Sequence, residues 1–338
     1  VPQIEQGQGI YTVLAQTVAD ELGADWRTIA IEAAPVNPHY ANTLFAEECG
    51  YASLTPRPEA DGRFQVTGAS TSLRGFGARC REAGALARAM LCMAAAKDWD
   101  ADWQACDTEN GFVVRGNERV RFAELAARAA KMTPPDHAPF RAGGDNRLIG
   151  QSVPRLDLPA KVDGSLNYAA DVRLPDMVFA SIRHGPLGSA GLVKIDRKAG
   201  LAVKGVVEIV ETDRRVAAVA NTWWAANIAV DAVRPRFAPV DTWPDDTSIA
   251  KALDAAFAEG ATNFVDIGDL NASYKGQRIY RADYSIGLAA HAAIEPMTAT
   301  AKLDGDQLQL WIATQAPGRA RLAAAKAIAQ DDSPDAAF

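Results

Sequence analysis

Twice in its first quarter the chain runs small, flexible residues straight into the start of a helix. The first instance is Glu5-Gln6-Gly7-Gln8-Gly9-Ile10. Behind it Ile10, Val13, Leu14, Thr17, Val18 and Leu22 repeat along one helical face, and Gly23 stops the helix. The second is Gly68-Ala69-Ser70-Thr71-Ser72-Leu73-Arg74-Gly75, which leads into an Ala-, Leu-, Arg- and Met-rich run predicted as a buried helix over Ala78 to Asp98. A helix N-terminus carries unpaired N–H groups and partial positive charge, so it favours an anion. Glycine lets the backbone approach an oxygen-rich ligand without a Cβ in the way. Gln8 adds an amide that both donates and accepts, Ser70, Thr71 and Ser72 add hydroxyls, and Arg74 adds a bidentate charge. Taken singly, each loop reads equally well as a tight turn or a plain N-cap. Neither is a P-loop, because no Gly-Lys-Ser/Thr follows. Neither is a dinucleotide fingerprint, because no strand precedes Gly7 and no third glycine falls at the right offset. The residues by themselves stop at two candidate anion sites.

The 338 residues exceed what one hydrophobic core usually serves, roughly 250–300, so two or three domains are expected. A formal net charge of −7 argues against a nucleic-acid or anionic-membrane surface. No apolar run approaches the roughly 18 residues of a membrane span. Cys49, Cys80, Cys92 and Cys106 form no CxxC pair and lie at no zinc-like spacing from a histidine, so they read as scattered buried thiols, with a Cys92–Cys106 disulfide left open. The chain holds neither an iron–sulfur cluster nor a structural zinc by itself. It opens on Val1-Pro2-Gln3 and closes in the polar run around Asp331 to Asp335, and both ends read as cut edges of a longer polypeptide.

Trp26 to Ala33 alternates like a short strand, and Pro35 to Pro58 is irregular enough to be a functional loop. Gly111 to Val114, followed by charged Arg115-Gly116-Asn117-Glu118, predicts a hairpin, and Phe122 to Met132 a helix closed by Pro134-Pro135. Residues 134–147 form a Pro- and Gly-containing linker. Beyond it come short strands at Val178 to Ile182, Val206 to Val210 and Val216 to Ala220 and a helix at Trp224 to Val233, which together suggest a compact α+β domain. A helix near Ile249 to Phe257 follows. The pattern returns to strands from Arg278, with Leu308, Leu310 and Ile312 alternating, and ends on a helix from Arg319 to Ala329. Arg79, Arg81 and Arg88 read as solvated helix positions and Trp223-Trp224 as core. His39 reads as a solvated loop residue, His291 as packing or bonding nearby backbone, and Glu295 as a structural hydrogen-bonding residue.

Several segments resemble the large subunits of the molybdenum hydroxylases, the xanthine dehydrogenase and aldehyde oxidase superfamily. Glu5-Gln6-Gly7-Gln8-Gly9-Ile10-Tyr11-Thr12 resembles that family's E-M-G-Q-G-x-x-T loop, with Gln6 in place of Met. Gly68-Ala69-Ser70-Thr71-Ser72 resembles its downstream Gly/Ser/Thr cofactor loop. Ile149 to Asp157, with Lys161-Val162-Asp163-Gly164 and Tyr168, resembles the opening of its α/β hammerhead domain. His291 to Pro296 with Ala313-Thr314-Gln315 resembles the start of its first molybdopterin-binding domain. The G-Q-G loop lies ahead of the hammerhead, the order of the isoquinoline 1-oxidoreductase branch.

The resemblance implies an α+β fold: part of one molybdopterin-binding domain at 1–133, a linker at 134–147, the hammerhead at 148–236 and the start of the other molybdopterin-binding domain at 237–338. It implies that Gly7, Gln8, Gly9, Gly68, Ser70, Thr71, Ser72 and Gln315 bind a molybdenum–molybdopterin cofactor in its cytosine dinucleotide form, with Gln315 approaching the metal's oxo group. The metal is held by the pterin, so the chain needs no metal ligand of its own. It implies hydroxylation of an N-heteroaromatic compound or an aldehyde with water as oxygen source. Electrons would pass to a small partner subunit with [2Fe–2S] clusters, and a cytochrome c is a further candidate acceptor. It points to the periplasm, since this branch often carries an upstream export signal, and otherwise to the cytoplasm. The family's catalytic glutamate sits in a G-E-x-G segment that this sequence does not contain, so no catalytic residue is assigned here. Two alternatives stand beside this reading: a catalytically incomplete fragment serving only folding or assembly, and an unrelated phosphate-binding enzyme.

Overall fold

The computed structural model describes all residues outside 52–61, 143–146, 186–190, 239–243, 261, 263–264 and 330–338. The end of the irregular stretch before Pro58, the glycine pair of the linker and the polar C-terminal run lie outside the described residues. The chain divides into two compact units, Val1–Val172 with Ala293–Phe338, and Arg173–Ala292.

The first unit is organised by two helices. Helix α1 (Ile10–Leu22) lies between two left-handed glycines, Gly9 and Gly23. Gly23 is required twice over: its φ is +72°, and a Cβ there would sit 2.5 Å from Thr108 Oγ1. Helix α2 (Thr43–Glu48) is short and capped by the Asn42 side chain. Helix α3 (Ser72–Ala96) runs parallel to α1. Ile10 and Leu14 cluster with Phe76, while Gly84 meets Val18 and Glu21 one to two turns further on. A Cβ on Gly84 would lie 2.9 Å from Val18 O, so this approach needs glycine.

Helix α3 begins at Ser72, six residues ahead of the predicted start, so much of the second small-residue loop is already its first turns. Its C-terminal half buries Leu91, Cys92, Ala94 and Ala95 against Val113, Leu125 and Ala129. Those partners come from an antiparallel meander of β1 (Asp107–Glu109), β2 (Phe112–Arg115) and β3 (Glu118–Arg121), and from α4 (Phe122–Ala129). The four cysteines are free thiols; only Cys92 is fully buried, and Cys49 is exposed.

Four expectations fail in or near this unit. Trp26 to Ala33 is not a strand: Asp25 caps a 3-10 turn at Trp26–Thr28, and the alternation finds no ladder partner. The hydrogen bond from Ala34 N–H to Val1 O (2.8 Å) ties the segment to the chain start instead. The stretch from Arg278 to Thr298 carries no strand, and strand structure resumes only at β9 (Ala299–Asp304), paired antiparallel with β10 (Gln307–Ile312) ahead of the last helix, Pro317–Ala329. Arg81 and Arg88 are not simply solvated. Both pair with Glu21, whose side chain is fully buried, at 2.9 and 3.2 Å. His291 is exposed rather than packed. His39 is exposed, and Glu295 accepts a hydrogen bond from Ala169 N–H at 3.4 Å.

The segment after residue 146 stays with α1. Asp20 Oδ1 accepts from the N–H groups of Arg147, Leu148 and Ile149, and Leu156 N–H donates to Thr12 Oγ1 at 3.1 Å. Residues 148–172, including helix α5 (Leu158–Val162), therefore fall in the first unit.

The second unit centres on an antiparallel sheet ordered β4 (Phe179–His184), β7 (Arg215–Ala220), β6 (Val206–Glu211), and β5 (Leu192–Lys194) pairs separately with β8 (Arg236–Phe237). Helix α7 (Trp223–Ala232) covers one face, packing Ala229, Val230 and nearby Val233 on Ile209, Val216 and Ala218. Its buried side is made of small residues, so Trp223 and Trp224 at its start are exposed by 55% and 66% rather than forming core. Helix α6 (Arg197–Leu201) packs in through Gly200, where a Cβ would meet Val233 Cγ1 at 2.4 Å. Helix α8 (Asp246–Ala258) falls where a helix is predicted, but none of its residues is buried.

Glu21 has no access to water, and its removal leaves Arg88 and the Arg141 N–H without their buried partner. Glu21→Ala is expected to destabilise the protein by about 3–5 kcal/mol, read as a lowered urea midpoint with the far-UV spectrum retained at zero denaturant.

Candidate functional site

Because α1 and α3 run parallel, the loops that precede them lie at the same end of the pair. Gln3 joins them. Its side chain is 1% exposed, and its Oε1 accepts hydrogen bonds from Ser72 Oγ (2.9 Å) and Thr67 Oγ1 (3.3 Å). Thr67 Oγ1 in turn accepts from Ile4 N–H at 2.8 Å. Gln315, far along the sequence, closes the group: its amide donates to Thr67 O at 2.9 Å, and Thr67 N–H donates to Gln315 O at 2.9 Å. The three predicted segments around residues 5–9, 68–72 and 315 thus meet in one polar cluster.

The interior of the second loop is held by Asn42. Its amide donates to Thr71 Oγ1 (2.7 Å) and Val66 O (2.9 Å), and Thr71 Oγ1 donates to Gly68 O (2.7 Å). Ala69 and Ser70 are both left-handed, at φ 50° and 53°, a conformation costly for non-glycine residues. Of the three hydroxyls in the motif, those of Thr71 and Ser72 therefore point into the protein. Ser70 is exposed, with its hydroxyl free of hydrogen bonds among the described residues. Arg74 is not an outward clamp: its guanidinium forks onto Glu48 at 2.6 and 2.7 Å, and that hydrogen bonding holds the Glu48 carboxyl below its usual range.

The first loop already wraps an anion of its own. Glu5 Oε1 accepts from Gly7 N–H (2.7 Å) and Gly9 N–H (2.9 Å), and Oε2 accepts from Tyr11 N–H (3.1 Å). The carboxylate thus satisfies the donors that a helix N-terminus offers to a phosphate. Gln8 braces the same turn, its Oε1 accepting from Gln6 N–H (2.6 Å) and its Nε2 donating to Ile4 O (2.9 Å). Nothing lies within 4 Å of a Cβ built on Gly7 or Gly9, so both glycines are needed for their positive φ and leave the outer side of the turn open.

Arg155 locks the loop from outside, donating to Gly7 O (2.9 Å) and Glu5 Oε1 (3.3 Å). It also forks onto Asp157, which Lys161 meets at 2.6 Å. Hydrogen bonds from Arg155, and then from Lys161, hold the Asp157 carboxyl down at about 2. Burial, then the negative charges of Glu5 and Asp157, push the Tyr11 phenol up.

Sequence reasoning missed Gln3, Asn42, Thr67, Arg155 and Asp157 as parts of this cluster. Their partners are remote in sequence, and a lone Gln or Asn carries no periodic signal. Glu5 stood inside the quoted motif, but its role depends on the loop folding back over its carboxylate. No group of His, Cys, Asp and Glu able to hold a metal occurs among the described residues. The cluster offers amides, a free hydroxyl and an open glycine turn. That set suits a polar, oxygen-rich ligand.

No family model matches the chain. It is 27% identical to the beta subunit of an isoquinoline 1-oxidoreductase from Brevundimonas diminuta, over 94% of this chain and 45% of the relative. It is 29% identical to a subunit of the nicotinate dehydrogenase of Pseudomonas putida, over 98% of this chain and 27% of the relative. A membrane-bound aldehyde dehydrogenase of Gluconacetobacter polyoxogenes, named for pyrroloquinoline quinone, is 25% identical over 88% of this chain and 38% of its own length. The chain therefore spans less than half the length of each of these relatives.

Asp157 has its carboxyl depressed in the folded state, so its contribution is full above the ordinary carboxylate value of 3.8 and is lost as pH falls towards about 2. Asp157→Asn is expected to cost roughly 1–2 kcal/mol at pH 7, and less as pH drops below 4. Urea denaturation from pH 7 to pH 2.5 checks this: the gap between wild type and variant should narrow across the acid range.

Proposed function

We propose that the chain belongs to the molybdenum hydroxylase family and supplies part of the cofactor site of a large subunit that oxidises an N-heteroaromatic compound or an aldehyde with water as oxygen source. The observation that carries this is the meeting of three segments at Gln3: each resembles a cofactor-binding segment, and Thr67 and Gln315 bond reciprocally across 248 positions of sequence. On this reading residues 148–236, whose strands lie in the second unit, correspond to the family's hammerhead domain. The partners are a small subunit with [2Fe–2S] clusters and, as a further electron acceptor, a cytochrome c. The cofactor is molybdopterin in its cytosine dinucleotide form, and the compartment is the periplasm.

The residues fit a pterin with one qualification of role. The outer side of the Gly7–Gly9 turn is open, and Gln8 within it and Ser70 on the second loop are exposed. Those groups would hold the cofactor through amide and hydroxyl hydrogen bonds. When bound, the cofactor supplies the two-electron oxidation of the substrate carbon. Glu5 already neutralises the N–H groups of Gly7, Gly9 and Tyr11, so the first loop contributes shape and the Gln8 amide rather than a vacant anion nest. Arg155, by fixing Gly7 O and Glu5, keeps that turn from rearranging. Thr71 and Ser72 act through packing: their inward hydroxyls hold the backbone from which Ser70 projects.

The same occupied nest favours a second reading, in which the loop is structural and the chain serves folding and assembly only. Co-expression of the full-length gene with that of its small partner separates the two. Metal analysis and acid extraction of the nucleotide should find molybdenum and cytosine dinucleotide in equal amounts. Gln8→Ala should lower both severalfold while leaving the melting temperature of the complex within a few degrees. A folded wild-type complex without molybdenum or pterin, or one carrying a redox-active quinone instead, contradicts the proposal.

A further inference from the structure

At the far end of α1 from the glycine loop, the first unit holds a cavity of about 640 Å³. The 13 residues of α1 separate the two places by about 20 Å along the helix axis, so the cavity is no part of the Gln3 cluster. Its walls include Arg88, Arg141 and Arg147 together with Trp103, Phe140 and Cys92. Its size falls within the roughly 300–1,000 Å³ of small-molecule sites, and it exceeds what a bare inorganic anion fills.

The charges around it do not balance. Glu21 is shared by Arg81 (2.9 Å) and Arg88 (3.2 Å). Asp107 is shared by Arg141 (2.9 Å) and Arg147 (3.7 Å). Four guanidinium groups therefore answer two carboxylates. Asp20, beside Glu21 on α1, spends Oδ1 on three backbone N–H groups, and its Oδ2 is buried without a partner among the described residues. Among the described residues that line the cavity itself, three arginines stand beside one carboxylate, Asp107. Burial, and then the like charge of Arg141, lower the Arg88 guanidinium from its usual range. Arginine presents a planar fork that matches a carboxylate. Trp103 and Phe140 offer flat apolar area beside it.

We propose that this cavity binds a small organic carboxylate with a planar apolar body, its carboxylate on Arg147 and its neighbours and its body against Trp103 and Phe140. The site is separate from the cofactor cluster and does not depend on the function proposed above.

The test uses the full chain with sodium benzoate as probe, against sodium sulfate and sodium chloride at matched ionic strength. Calorimetry reads binding, and iodoacetamide labelling read by mass spectrometry reads location. Cys106 lines the cavity and Cys49 is exposed elsewhere, while burial pushes the Cys92 thiol up to about 12, out of reach of the reagent. Benzoate should bind saturably and slow labelling of Cys106 severalfold with no change at Cys49. The Arg147 guanidinium is 42% exposed, so Arg147→Gln should fold normally and weaken benzoate binding by about tenfold, with Arg147→Lys between the two. Absence of saturable benzoate binding, labelling of Cys106 unchanged by benzoate, or equal affinity in Arg147→Gln overturns the site. Sulfate binding as well as benzoate overturns the assignment of the ligand class. If Arg147→Gln does not fold, the wild-type labelling comparison decides alone.

Discussion

A carboxylate sealed from water must find its counter-charges inside the protein, and Glu21 finds them on the neighbouring helix. Arg81 and Arg88 reach it from α3, and the Arg141 N–H reaches it from the following segment. Burying a charge costs several kcal/mol unless it is paired and hydrogen-bonded, so these contacts strongly disfavour any other register of α1 on α3. Gly84 allows the backbones close enough for the contacts to form. The register in turn sets the two helix N-termini side by side. Everything about the candidate site follows from that placement: two loops distant in sequence share Gln3, and Gln315 is drawn in through Thr67.

Within the site the protein spends most of its polar groups on itself. Thr71, Ser72, Gln8 and the loop N–H groups all have internal partners, and Glu5 acts as a built-in anion at the start of α1. The part built on Gln3, Asn42, Thr67 and Thr71 is rigid, because there breaking a bond strands a buried partner. Rigidity is what a cofactor site requires of its supporting shell. The groups left facing outward are few: the open turn at Gly7 and Gly9, the second N–H of the exposed Gln8 amide, whose first goes to Ile4 O, and the Ser70 hydroxyl.

Elements whose evidence is local were legible in the sequence. The apolar face of α1 with its stop at Gly23, the Phe112–Arg121 hairpin, strands β4, β6 and β7 of the second unit and the last helix were all read from a local pattern. What was not legible depended on a remote partner. Trp26 to Ala33 alternates but has no strand to pair with. Arg81 and Arg88 look solvated until Glu21 is placed beneath them. Trp223 and Trp224 look like core, yet the helix they begin buries three alanines and Val230 instead. The site shows the same division. Gly7, Gln8, Gly9, Ser70 and Gln315 stood out by motif, whereas Gln3, Asn42 and Arg155 became visible only through hydrogen bonds spanning up to about 150 positions.

The central claim is that three sequence segments act as one cofactor site because α1 and α3 hold them together. Hydrogen exchange of the full-length protein, compared with and without its cofactor, tests this most directly. The account predicts that cofactor slows exchange together in the segments around residues 6–11, 67–75 and 313–316, while the hairpin at Phe112–Arg121 is unchanged. Protection confined to one of the three segments, or absent from all of them, would contradict it.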